Sequence, residues 1–386
     1  METVKGFRDY IGEDALKREK IKEILVKNFK LFGFNPEETP VIEQEEFVRG
    51  ENANDEAVYD VFKLRDKGDR NLALRYEFTF QLKRTSLNKK LPYKRYQIGY
   101  VFRDEPVSTN RFRQFTQCDI DIVGSNIKDE AEILALTSRI LKELKIDAEI
   151  TINNRKLLNA IIKSLDLANV EFILREIDKI DKQGEGVVKE TLSKSIDGKK
   201  IKKLFAILNS LNEIKKFPEY KEIEELINIC KGYGVELNFN PLLARGLAYY
   251  NGSVYEIKTK SMKETVCAGG SYLVNGIQST GLAFGLERVC QLAKLKEENK
   301  KVIIISIGQD KKAVELAEKL RENQIPVSIS EKISKGLEYA NAYGIKYAIF
   351  LGEDEVKKKK FKLRDMKTGK EDFLKEKELI TKLISF

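Results

Sequence analysis

Apolar residues recur at helical spacing near the start of the chain. Leu16, Ile21, Ile24, Leu25, Phe29 and Phe32 fall in register, and Gly33 follows as a stop signal, so the pattern predicts one long amphipathic helix over residues 13–32. The period then changes. Residues 72–76, 96–103, 115–123, 247–258 and 265–268 read as strands, several joined by short turns, which predicts an antiparallel sheet. Helical spacing returns in Leu157, Leu158, Ile161, Ile162 and Leu165, then in Phe172, Ile173, Ile177 and Ile180, and continues to Ile229. Residues 156–232 therefore read as a helical insertion, which splits the sheet-bearing domain into residues 1–155 and 233–295. From residue 301 strand and helix alternate: a strand at 302–307, a helix carrying Ala313, Leu316, Ala317 and Leu320, a short strand at 326–329, another helix, then a strand at 347–351. That is βαβ spacing, and it predicts an α/β domain over 301–386 behind a charged linker at 294–301. The expected fold class is an α+β domain with an antiparallel sheet, a helical insertion and a C-terminal α/β domain.

Composition narrows the chemistry. Histidine is absent from all 386 residues, which excludes every mechanism that needs an imidazole from the protein, including Ser-His-Asp and Cys-His nucleophiles and His-ligated zinc. Cys118, Cys230, Cys267 and Cys290 are too far apart for a Cys-x-x-Cys unit and read as buried reduced thiols. No run of eighteen apolar residues occurs, so a soluble cytoplasmic protein with no membrane partner is expected. The formal charge is +9; residues 1–150 sum to −1 and residues 301–386 to +5. A polyanionic partner and a lysine-rich solvated surface both account for that asymmetry.

The densest chemistry lies in Arg103-Asp-Glu105 and Arg111-Phe-Arg113-Gln-Phe115-Thr-Gln117-Cys-Asp119-Ile-Asp121. Residues two apart on a strand share a face, which sets Arg103 with Glu105 and groups Gln117, Asp119 and Asp121. Arg111, Arg113 and Phe115 suit a nucleotide, guanidinium forks gripping phosphate while the ring stacks on a base. An exposed hairpin with cross-strand ion pairs is the other reading. In Arg245-Gly-Leu-Ala-Tyr249-Tyr250 an arginine precedes a glycine and paired tyrosines, also compatible with an edge strand. Gly281-Leu-Ala-Phe-Gly285-Leu-Glu287-Arg288 reads as the start of a helix, and Gly269-Gly270 as a tight turn. Gly184-Glu-Gly186 lacks the Rossmann spacing.

Together these segments resemble the histidyl-tRNA synthetases of class II over nearly the whole chain. Lys5-Gly-Phe-Arg-Asp9 is similar to the family's opening, and Pro40 to the class's first motif, at the dimer interface. Leu74-Arg-Tyr-Glu77-Phe-Thr79 resembles the amino-acid-binding strand, Phe102 to Gln117 the second class motif, and Gly285-Leu-Glu-Arg288 the third. Arg245 to Tyr250 and Ala268-Gly-Gly-Ser-Tyr272 resemble signatures of this family alone. The resemblance implies a histidine–tRNA ligase that uses ATP and Mg²⁺, with tRNA(His) and L-histidine as its other partners and a homodimeric assembly. It assigns Arg103 to the α-phosphate, Glu105 and Phe115 to the adenine, and Arg111 and Arg288 to the outer phosphates. Arg245 becomes the catalytic arginine beside Arg103. Glu77, Thr79 and Gln117 would hold the α-amino group of histidine, Asp121 and Tyr250 its imidazole, with Tyr249 in the same pocket. Residues 301–386 resemble an anticodon-binding domain.

Tyr76, Phe78, Ala248, Ser271 and Leu273 depart from the family pattern. They keep open a catalytically silent paralogue, such as the regulatory subunit of ATP phosphoribosyltransferase, or an amino-acid sensor or RNA-binding module. Retention of Arg245 and of the C-terminal domain favours the enzyme.

Overall fold

The computed structural model describes residues 1–49, 60–245, 249–295 and 301–385, so most of the predicted linker, and Gly246, Leu247 and Ala248, lie outside the described residues. The chain divides into two compact units, Met1–Leu295 and Lys296–Phe386. In the first, the helix Gly12–Leu31 buries Ile21, Ile24, Leu25 and Phe29, each contributing about 1.5–3 kcal/mol by leaving water. It ends at Gly33, whose φ of +79° reverses the chain at no side-chain cost.

The sheet of this unit has eight strands, in the order Asn35–Pro36, Tyr93–Phe102, Gln114–Val123, Ile277–Gly285, Met262–Val274, Tyr250–Thr259, Glu149–Asn154 and Asn238–Phe239. The two edge strands pair parallel and the rest antiparallel. One face packs on the helix Ile127–Glu143, which Asn126 and Asp129 start with a capping box. The helices from Arg155–Ser164 to Tyr220–Gly232 bury Leu157, Ile161, Ile173, Leu204 and Leu226 in the same apolar cluster as Ile120, Ile150 and Ile257 of the sheet.

Three local expectations are corrected. Gly281 to Gly285 close a strand, and the helix they were expected to start begins at Leu286. Gly269 and Gly270 lie inside the strand Met262–Val274 instead of at a turn. The reason is close approach: a Cβ on Gly269 would stand 2.0 Å from the Gly281 carbonyl oxygen, and one on Gly270 2.8 Å from the Tyr250 ring. Glycine spacing alone does not distinguish these uses from a helix start or a turn. Arg103 and Glu105 follow the end of their strand at Phe102, although their side chains still approach to 4.0 Å.

The second unit carries a five-stranded sheet ordered Val327–Ser330, Val302–Ser306, Tyr347–Leu351, Phe361–Asp365 and Glu371–Leu374. Its first three strands are parallel, and the last two add antiparallel at one edge. Its own core comprises Val302, Ile304, Leu316, Leu320, Ile349 and Leu379 among others.

Candidate active site

The strand Gln114–Val123 sorts its residues by the two-residue period. Cys118, Ile120 and Ile122 enter the core, while Gln117, Asp119 and Asp121 face a cleft of about 300 Å³, at the lower end of the range for small-molecule sites. Across the ladder these three meet Gly99, Gln97 and Arg95 on one side and Gly285, Ala283 and Gly281 on the other. The small residues leave the cleft open. A Cβ on Gly281 would lie 2.1 Å from Asp121 Oδ1.

Arg103, Glu105, Arg111, Phe115 and Arg288 line one part of this cleft. Arg103 donates from Nε to the Tyr76 carbonyl and from Nη2 to Gln117 Oε1, both at 3.3 Å, and its guanidinium stands 5.2 Å from the centre of the Phe115 ring. Arg111 reaches Glu105 at 3.2 Å. Arg288, one turn into the helix Leu286–Leu292, donates to the Thr265 carbonyl at 2.7 Å. Burial lowers its pKa; Glu264 opposes that, and the charges of Arg111 and Arg103 lower it further. Guanidinium groups that repel one another in a half-buried cleft are stabilised by a polyanion. Glu287 is committed instead to Arg18 at 3.0 Å and to the Thr116 amide at 3.1 Å, which ties the helix to the hairpin.

Glu77, Thr79, Gln117, Asp121, Tyr249, Tyr250 and Arg245 line the same cleft. Asp121 is held by buried Arg95 at 2.9 Å and by the Tyr272 hydroxyl, which donates to it. Tyr249 packs on Tyr250 and Tyr272 with ring centres 4.8 and 5.6 Å apart. Arg245 has φ of +54°, an uncommon conformation for a side-chain-bearing residue. Its Nη1 lies 3.5 Å from Glu256, and among the described residues its Nε has no hydrogen-bond partner. Burial works against its charge, but Tyr250, Glu256 and Asp178 outweigh it and hold the pKa above the ordinary value.

Sequence reasoning assigned no part to Asp119, Arg95, Asp178 or Glu256. Asp119 carried a signal, since it shares its strand face with Gln117 and Asp121; Arg95 and Asp178 reach the site through pairings distant in sequence. Of the departures, Ser271 donates to Glu130 on the core side of the sheet, and Leu273 is exposed. Tyr76 stacks on Phe80 with ring centres 5.7 Å apart, and buried Phe78 carries the Arg75 guanidinium 4.7 Å from its ring centre. Ala248 lies outside the described residues.

Comparison with known proteins places this geometry. The family model for histidyl-tRNA synthetase matches residues 6–289, and that for an anticodon binding domain residues 301–385. A cleft unit followed by such a domain defines an aminoacyl-tRNA synthetase. Histidine–tRNA ligase 1 of Bacillus cereus is 33% identical over 411 residues, covering 96% of this chain and 94% of that protein. The histidyl-tRNA synthetase structure from Nostoc sp. PCC 7120 superimposes with a TM-score of 0.86 at 25% identity, covering 99% of this chain and 98% of that one. A Bacillus halodurans C chain described as an ATP phosphoribosyltransferase regulatory subunit/histidyl-tRNA synthetase shares the fold, with a TM-score of 0.72 at 20% identity over 86% of this chain and 95% of its own. The chain belongs to the histidyl-tRNA synthetase family.

Proposed function

We propose that the chain activates L-histidine with ATP, giving histidyl-adenylate and pyrophosphate, and then transfers histidine to the 3′ end of tRNA(His). The observation that carries this reading is the gathering of Arg103, Arg111, Arg288 and Arg245 around one cleft whose wall also includes Glu77, Gln117, Asp121 and Tyr250. One part suits a triphosphate, the other a small zwitterion with a polar side chain.

In this reading Arg103 binds the α-phosphate, Arg111 and Arg288 the outer phosphates, and Phe115 and Glu105 the adenine. Glu77, Thr79 and Gln117 hold the α-amino group, while Asp121, Tyr249 and Tyr250 surround the imidazole. The substrate carboxylate attacks the α-phosphorus, pyrophosphate leaves, and Arg245 stabilises the charge that builds on the phosphoryl oxygens. The carboxylate is itself the nucleophile, so no protein base is needed and a chain without histidine can run the step. Tyr250 sits between the two jobs, its pKa raised by burial and lowered by the Arg245 charge.

No group of three or more Cys, Asp or Glu that could hold a metal occurs among the described residues. Mg²⁺ is bound in many nucleotide sites largely through the substrate's phosphates, which in this reading would be held by Arg103, Arg111 and Arg288. The ion would neutralise phosphate charge. Exposed Val41 and Ile42, next to Pro40, offer the apolar surface a homodimer would cover. Residues 156–232 then form an insertion within a class II catalytic domain built from 1–155 and 233–295, and 301–386 bind the anticodon region. No described helix is long and apolar enough to cross a membrane.

The silent-paralogue reading is separated by single-turnover mixing of enzyme, ATP and histidine. Histidyl-adenylate is expected in an amount equal to the active sites; none would leave a binding protein.

A further inference from the structure

The cleft contains a carboxylate to which the roles above give no task. Asp119 lies between Gln117 and Asp121 on the cleft face, is 3% exposed, and forms part of the cavity wall. Gln117 Nε2 donates to both its oxygens, at 3.1 and 3.2 Å. Its neighbour Ala283 is too small to cover it.

The charges facing Asp119 balance it only in part. From the strand Tyr93–Phe102 comes Arg95, whose Nη2 is taken by Asp121 at 2.9 Å and by the Phe78 carbonyl at 3.0 Å. Arg75 donates from Nε to the Tyr100 carbonyl and from Nη1 to the Thr39 carbonyl. Asp121 and, more weakly, Glu77 add negative charge at Asp119, and the Arg95 charge opposes them. Tyr272 serves Asp121, Tyr249 and Tyr250 line the same wall, and the strand Ile277–Gly285 has no titratable residue. The site thus holds two adjacent aspartates and one guanidinium, whose ion pair is with Asp121 at 2.9 Å and whose charge Asp119 shares. A ligand that brings an N–H and a positive charge completes the set.

We propose that Asp119 takes a ring N–H of the substrate and binds histidine as the imidazolium, making it a specificity-determining residue for the side chain. This rests on the placement of histidine at Tyr250 and Asp121. Burial first, then the charge of Asp121, push the Asp119 carboxyl up to about 8. Near neutral pH the empty cleft therefore carries a proton on Asp119. A neutral imidazole, with its ordinary pKa of about 6.5, arrives with one ring nitrogen bare; the proton passes from the carboxyl oxygen to that nitrogen, leaving carboxylate and imidazolium. Nothing is taken from solvent. Above about pH 8 the same complex must draw its proton from water, and affinity falls.

The test is amino-acid-dependent ATP–pyrophosphate exchange by wild type, Asp119→Asn and Tyr250→Phe, with histidine and with 1,2,4-triazole-3-alanine, an isostere whose ring is far less basic. Wild type is expected to prefer histidine in kcat/KM, and Asp119→Asn to shrink that preference about tenfold, the margin between a charge-assisted and a neutral hydrogen bond. The wild-type KM for histidine should rise roughly tenfold between about pH 7 and pH 9, the expectation for one proton lost near pH 8. In Asp119→Asn it should change only as far as the shared α-amino group makes it. Equal losses for both amino acids would show that Asp119 acts only through Gln117 and would overturn the proposal, as would an unaltered pH profile. A histidine KM unchanged in Tyr250→Phe would instead displace the ring from this part of the cleft and remove the reading beneath it. The melting temperature of each variant separates these losses from unfolding.

Discussion

At the scale of single residues the cleft trades stability for charge placement. Asp119 is buried and its carboxyl is raised from the ordinary 3.8 to about 8. A group whose folded-state pKa is raised gives stability that is fully present below its unfolded pKa and is lost as pH climbs through the folded value. Asp119→Asn cannot ionise. Its melting temperature should therefore gain on wild type progressively from about pH 4 to pH 8 and then hold a constant lead; parallel curves would mean the carboxyl is not perturbed. Arg245 is the reverse case, a cation kept charged by Tyr250, Glu256 and Asp178 against the effect of burial and held in a left-handed conformation. Contact with the α-phosphate mainly in the transition state predicts that Arg245→Ala lowers kcat by a factor on the order of 10²–10³ while KM values for ATP and histidine change little. Single-turnover adenylate formation measures that step, and an unchanged rate would remove Arg245 from it.

At the scale of elements, the site depends on strands that approach more closely than side chains allow. Gly281 stands opposite Asp121 in the ladder, and a Cβ there would fall 2.1 Å from its carboxylate. Gly281→Ala must push Asp121 away from Arg95 and Tyr272. The expected result is a loss of about 1–3 kcal/mol in stability, as for overpacked cores, together with a higher KM for histidine and an ATP KM near wild type. Denaturant midpoints and exchange kinetics read the two effects separately. These elements also mark what was legible in the sequence. Helical spacing announced the helix Gly12–Leu31 to within a residue or so at each end, and the two-residue period grouped Gln117, Asp119 and Asp121 on one face. Periodicity is local, however. It could not reveal that Arg95 lies across from Asp121, because register is set by pairings distant in the chain. The strands Glu149–Asn154 and Ile277–Gly285 escaped for a related reason: asparagines and glycines weaken the strand pattern, and only their neighbours in the sheet explain them. The arginines and tyrosines that line the cleft stood out in their local segments and took their individual roles from motif resemblance, whereas Asp178, brought near Arg245 from the helical segment, belongs to no motif.

At the scale of the whole molecule, two units with separate cores divide the labour. Every residue assigned to the activation step precedes residue 290, and the second unit buries its own apolar cluster. Removing residues 301–386 should leave histidine-dependent pyrophosphate exchange within a few-fold of the full chain and lower tRNA charging by orders of magnitude. Charging at the full rate by the shortened chain would refute that division. The lysine-rich stretch in this unit is less uniform than its sequence suggests. Lys357 pairs with Glu353 at 2.6 Å and Lys362 with Glu371 at 2.8 Å, while Lys359 takes the left-handed position that ends the helix Glu353–Lys358. Each pair lowers the charge free to meet phosphate, so substituting Lys357, Lys358, Lys359 and Lys360 together should flatten the salt dependence of tRNA binding by less than four phosphate contacts would give.

In the proposed reaction this cleft selects histidine and joins it to AMP. The most direct measurement is ATP–pyrophosphate exchange by the full chain with each of the twenty amino acids in turn. Exchange is expected with histidine alone, because a buried pocket lined by Asp121, Asp119 and Tyr250 leaves polar groups unpaired around any other side chain. Exchange that is absent with histidine, or equally fast with a second amino acid, would contradict it.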